Sequence, residues 1–110
     1  MPQYFTENGY DTYSVGKIFH PSSRHPDDMP YSWSILPPYH PSTLKYKNAP
    51  VCPPNNATNL LCPVVVKLQK EKTLPDIQIA KAATDFLTRR TKLPGKYSKI
   101  IVIHIQANIK

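Results

Sequence analysis

Ten of the chain's thirteen prolines lie between Pro21 and Pro63. Proline fixes φ and removes a backbone donor, so a stretch this rich in it cannot run as a helix or as a central strand. The region has neither helical nor strand periodicity over a useful length, and it reads as a long irregular excursion. Structureless loops beyond about 12–15 residues are uncommon inside a compact domain unless they serve a function or are disordered. Tyr31, Trp33, Tyr39 and Tyr46 make it too aromatic for a simple linker, so it is expected to pack against something.

The flanks carry regular signals. Pro2 suits a helix's first turn and Asn8-Gly9 its end, predicting a short helix over roughly 2–8. Thr12 to Val15 favour a strand, and Gly16 lets the chain turn at its carboxyl edge. After Pro75, a second helix places Ile79, Ala80, Ala83, Phe86 and Leu87 on one face at 3.6-residue spacing, with Pro75 and Asp76 in its first turn. Pro94-Gly95 breaks the chain, and the Ile-Ile-Val-Ile run within Lys99 to Ile105 reads as a buried strand. The order is helix, strand, long irregular loop, helix, strand: an α/β slice. Two strands do not make a sheet covered on both faces, so a piece of a larger domain is expected. Its parts are 1–20 (helix, strand and site loop), 21–75 (the excursion) and 76–110 (helix and strand).

Lys17 and His20 stand three residues apart just past the first strand, where open α/β sheets bind ligands. By residue type alone, a solvated lysine beside a surface histidine is favoured over an anion-handling pair, because so short a motif arises readily by chance. The net charge of +7 sits in the second part: four basic residues balance four acids through Val66, and ten face three from Lys67 onward. These cations are scattered along a helix and its flanks without stacking aromatics between them, which argues against a nucleic-acid partner.

Cys52 and Cys62 enclose nine residues, a loop that a disulfide could close, although two free cysteines fit as well. Asn56-Ala57-Thr58 is a glycosylation sequon that has meaning only in a secreted or luminal protein. Together they favour an oxidising compartment. Neither cysteine has a histidine at metal-ligand spacing, so no metal site is expected within this chain. Met1-Pro2-Gln3-Tyr4 leads into a helix with no signal peptide, so a luminal protein would take its targeting segment from sequence outside this chain. No stretch approaches twenty apolar residues, and no membrane span is expected.

Gly9-Tyr10-Asp11-Thr12-Tyr13-Ser14-Val15-Gly16-Lys17-Ile18-Phe19-His20 matches throughout the pattern G-Y-x-[ST]-x-x-x-G-K-x-[aromatic]-H of the sulfatase family. Pro2-Gln3-Tyr4-Phe5, Asp27-Asp28, Pro30-Tyr31-Ser32-Trp33-Ser34, Pro37 to Ser42, Leu60 to Val64 and Thr73-Leu74-Pro75-Asp76 follow in family order. They resemble the branch that removes the 2-sulfate of iduronate in heparan and dermatan sulfate. The resemblance implies an alkaline-phosphatase-like α/β fold, a lysosomal setting, and a sulfuric ester hydrolase acting on sulfated glycosaminoglycan.

It also implies a calcium ion held by acidic residues, and a formylglycine made from the cysteine of C-x-P-S-R. Neither cysteine here begins that motif: Cys52 opens Cys-Pro-Pro-Asn-Asn and Cys62 opens Cys-Pro-Val-Val-Val. In the family these positions look like a structural disulfide. The nucleophile and calcium ligands would belong to the remainder of a sulfatase domain, so this chain alone is expected to be inactive. Lys17 would neutralise sulfate oxygens and His20 would hydrogen-bond the nucleophile and sulfate region. Asp28 and His40 are candidates to contact the sugar. His104 is a candidate leaving-group acid, although the segment after it lacks the proline of the family's Gly-Tyr-His-Lys-Pro-His. The alternative reading is a small secreted or luminal protein, derived from a sulfatase, that binds sulfated glycan through Lys17 and the basic second helix.

Overall fold

The computed structural model describes residues 2–18, 28–46, 48–52, 54, 58, 62–92 and, as backbone, 100–105. Helix α1 spans Pro2–Glu7 and ends where Gly9 takes φ 79°, the left-handed turn that a residue without a Cβ adopts freely. The amides of Asn8 and Gly9 close it on the carbonyls of Tyr4 and Thr6. Strand β1 follows at Asp11–Gly16, strand β2 at Ile35–Tyr39, helix α2 at Pro75–Thr91 and strand β3 at Ile100–Ile105.

The three strands form a parallel sheet in the order β2-β1-β3. β1 is therefore the central strand, with partners on both sides, and its alternate residues face two different layers. Tyr13 stacks on Phe86 of α2 with ring centroids 4.6 Å apart. Asp11, on the same face, pairs with Arg90 of α2 at 2.6 Å. Thr12 points to the other face, where α1 and the segment before β2 cover it. Thr12, Ser14 and Val15 are buried. The result is a mixed α/β arrangement with one helix on each face of β1.

β2 corrects the reading of residues 21–75 as irregular throughout. A strand containing Pro37-Pro38 is possible here because β2 lies at the edge of the described sheet. Its pairing is accordingly irregular: from Tyr13 to Val15 β1 advances two residues, while β2 advances four, from Ile35 to Tyr39. Among the aromatics of this region Trp33 is 2% exposed, Tyr39 and Tyr46 are half-buried, and Tyr31 is exposed. α2 also presents a narrower stripe than its spacing implies. Ile79 and Phe86 are buried, whereas Ala80 and Leu87 lie on an exposed flank. A helix packed over a single strand buries only the residues directly above it.

Beyond β2 the chain is pinned to the start of α2 by a polar clamp. Gln78 Oε1 accepts from the Thr43 hydroxyl at 2.7 Å and from its amide at 3.2 Å, while Gln78 Nε2 donates to Ser42 Oγ at 2.9 Å. Ser42 Oγ donates to Glu71 at 2.5 Å, and Lys45 pairs with Glu71 at 2.8 Å. Lys45 and then Ser42 hold the Glu71 carboxyl below its ordinary range, and Glu71 raises Lys45 in return. Glu71 occupies φ 61°, a left-handed conformation that is uncommon without glycine. No helix among the described residues is long and apolar enough to cross a membrane.

Candidate functional site

The carboxyl rim of the sheet gathers several of the candidate residues. Gly16 ends β1 with φ 83° and is buried, so the turn into Lys17 needs a residue without a Cβ. Lys17 emerges exposed at that rim and enters no ion pair or side-chain hydrogen bond among the described residues. The register sets Tyr39 against Val15, so His40 leaves β2 beside Lys17's strand. Parallel neighbours lie about 4.8 Å apart. On the other side His104 is the register partner of Val15, and Ile105 that of Gly16. Lys17, His40 and the end of β3 thus share one edge. The connection leaving β1 heads toward β2, while β3 lies on β1's opposite side. In open parallel sheets such a reversal of strand order opens a crevice at the carboxyl ends, the usual ligand position.

Asp28 is placed differently. It takes φ 57° at the start of a turn, its carbonyl accepts from the Ser32 amide at 3.1 Å, and its carboxylate accepts from the Ser32 hydroxyl. That turn is bolted to the first half of β1 by hydroxyl groups. Thr12 Oγ1 accepts from the Ser34 amide at 2.9 Å and shares a hydrogen bond of 2.7 Å with Thr6 Oγ1, and both hydroxyls lie 3.0 Å from the Ser32 carbonyl that accepts from them. Ser34 Oγ completes the arrangement, accepting from the Thr12 amide at 2.8 Å and donating to the Thr12 carbonyl at 3.4 Å. It does for Thr12 what a strand neighbour would do. Asp28 is therefore anchored through Ser32 to Thr12, while Lys17 and His40 sit at the strand's other end.

Cys52 and Cys62 are joined by a disulfide with Cα atoms 5.6 Å apart, so neither thiol is available as a nucleophile or a formylglycine precursor. Among the described residues no group of three or more His, Cys, Asp or Glu side chains converges to hold a metal, so these residues do not fit a calcium site. His20 and Asn56 lie outside the described residues, and His104 is described by its backbone alone. The residues missed in the sequence are Ser32, Ser34 and Tyr39. The two-residue alternation of Ser32 and Ser34 was the one available signal, and the surrounding prolines hid it.

By sequence the chain is similar to iduronate 2-sulfatases. Over 94 residues it is 54% identical to the iduronate 2-sulfatases of Mus musculus and Homo sapiens, a match covering 81% of this chain and 17% of either relative. The chain thus spans about a sixth of the length of these curated relatives. No family model matches it.

Proposed function

We propose that this chain supplies the Lys17 side of a sulfatase active site, within an alkaline-phosphatase-like catalytic domain that removes the 2-sulfate of iduronate in heparan and dermatan sulfate. The observation that carries the proposal is Lys17, exposed at the carboxyl rim of a parallel sheet in a chain that is 54% identical over 94 residues to iduronate 2-sulfatases. A lysine there acts as a fixed point charge on the sulfate oxygens, and a preplaced cation gains most where charge develops in the transition state. His20 hydrogen-bonds the same region, three residues further along the motif. His40 contacts the sugar from the neighbouring strand end, whereas Asp28, held through Ser32 at the other end of β1, fixes the turn that leads into β2. His104, the register partner of Val15, serves the leaving group in this reading.

Calcium and the formylglycine cysteine have no place among the residues described, so in this reading both belong to a complementary part of the domain. The setting is the lysosome, with Asn56 glycosylated. Alone, the chain has no turnover. The test is to co-express it with human iduronate 2-sulfatase from which the matched stretch has been deleted, and to assay desulfation of a 2-sulfated iduronate oligosaccharide. Desulfation by the pair, by neither chain alone, and confined to the iduronate 2-position is expected. Failure of a stably associated pair to release sulfate contradicts the proposal.

A further inference from the structure

Helix α2 runs antiparallel to β1. Arg90, near the end of the helix, pairs with Asp11 at the start of the strand, and Phe86, one turn earlier, stacks on Tyr13, two residues further along the strand. Gln78 lies twelve residues before Arg90, about 18 Å along a helix, and Lys17 six residues beyond Asp11, about 20 Å along a strand. The start of α2 therefore stands level with the carboxyl rim. There the Gln78 side chain grips the two residues that follow His40 and Pro41. Its Oε1 accepts from the hydroxyl and the amide of Thr43, and its Nε2 donates to Ser42 Oγ. Thr43 and Pro41 are buried, whereas His40 is exposed. On the other side of His40, Tyr39 is in register with Val15. Three residues separate Tyr39 from Thr43, and one is a proline, which sets its own φ and keeps the residue before it extended. Little backbone freedom is left to His40. Both anchors lead back to β1, one through the β2 register and one through α2, and β1 is the strand that delivers Lys17. Asparagine would be a methylene too short for this grip, and an aliphatic side chain would leave the buried Thr43 hydroxyl and amide without their acceptor.

We propose that Gln78 is a positioning residue for substrate recognition: through Ser42 and Thr43 it holds His40 at a fixed spacing from Lys17, so that one sulfated sugar meets the lysine with its sulfate and the imidazole with its ring. The proposal rests on the sulfatase reading above for the identity of the substrate. The placing of His40 by Gln78 stands on the hydrogen bonds alone. A histidine held in place before the sugar arrives loses less freedom on binding, so the effect of Gln78 falls on affinity and not on the chemical step.

The test compares Gln78→Met, which keeps the side chain's length and removes its hydrogen bonds, with Gln78→Glu, which keeps both acceptances from Thr43 and loses the donor to Ser42. Asp85→Asn, two turns along α2, is the control, because it weakens only an exposed pair with Lys81. In the complemented pair, on a 2-sulfated iduronate oligosaccharide, Gln78→Met is expected to raise KM about tenfold and Gln78→Glu about threefold, with kcat within about twofold, while Asp85→Asn changes neither. His40→Ala should raise KM as Gln78→Met does, and combining the two should add nothing, since both act through one contact. Additive effects, or a loss confined to kcat, would overturn the positioning role. A second readout needs no turnover. The ring resonances of His40, one of four histidines in the chain, are expected to move in both Gln78 variants and to stay in place in Asp85→Asn. Desulfation with unmoved His40 resonances overturns the positioning role alone, and moved resonances in a pair that releases no sulfate overturn the catalytic reading alone.

Discussion

The two faces of β1 are held by different physics. On the α2 face, Tyr13 stacks on Phe86 and Val15 is fully buried, with Asp11 and Arg90 closing one end. Such a face gains from area removed from water and tolerates small shifts of the helix. On the other face Thr12 is equally buried, but it is held by hydroxyl and amide hydrogen bonds to Thr6, Ser32 and Ser34. Those bonds have fixed directions and distances. The apolar face therefore supplies most of the stability, and the polar face fixes where the segment entering β2 lies. That segment brings His40 to the rim beside Lys17, so the polar face is the one that sets the geometry of the site.

Phe86→Ala should be the most damaging change to this comparison. It removes a buried ring from above Tyr13 and is expected to cost about 3–4 kcal/mol in urea unfolding, with little movement of β2. Thr12→Val keeps the volume and deletes the hydroxyl. It is expected to cost about 2 kcal/mol, because the Ser34 amide loses its buried partner, while the Ser32 carbonyl keeps the Thr6 hydroxyl. Its signature is a shift in the amide resonances of Ser32 to His40 that Phe86→Ala does not produce. If both variants disturb that segment equally, the division between the faces is wrong.

Much of this was legible in the sequence, and the reasons are local. Gly9, Gly16 and Pro75 mark real boundaries because each meets a backbone requirement that few residues can meet. The spacing of Ile79 and Phe86 located the buried stripe of α2, since period 3.6 survives whatever the helix packs against. β2 was invisible for the converse reason: an edge strand with two prolines has no alternation, and its place is dictated by Thr12, more than twenty residues away. The rim position of Lys17 could be read from the strand before it. Its neighbour His40 could be brought there only by a register that no local pattern encodes. The separation of Asp28 from that rim was hidden for the same reason.

The clamp outside both faces should have a smaller effect. Glu71 is held below its ordinary value of 4.5, so its contribution is present above that value and fades as the pH falls through the lowered one. Lys45, raised above 10.5, keeps its contribution below that value and loses it only in strong alkali. Glu71→Gln is therefore expected to flatten the acid limb of the stability profile below about pH 4.5 and to leave neutral pH nearly unchanged. Salt should shrink the difference, because the pair is open to solvent. An unchanged acid limb would show that the clamp holds the chain by packing alone.

The central claim is that charge acts at the rim and not merely somewhere on a basic chain. The most direct test removes one lysine from each of two places, Lys17→Ala at the rim and Lys70→Ala on the exposed turn before α2, and compares kcat of the complemented pair on a 2-sulfated iduronate oligosaccharide. Lys17→Ala is expected to lower kcat by at least about a hundredfold while Lys70→Ala stays within about twofold. Equal losses, or no loss at Lys17, would contradict the account.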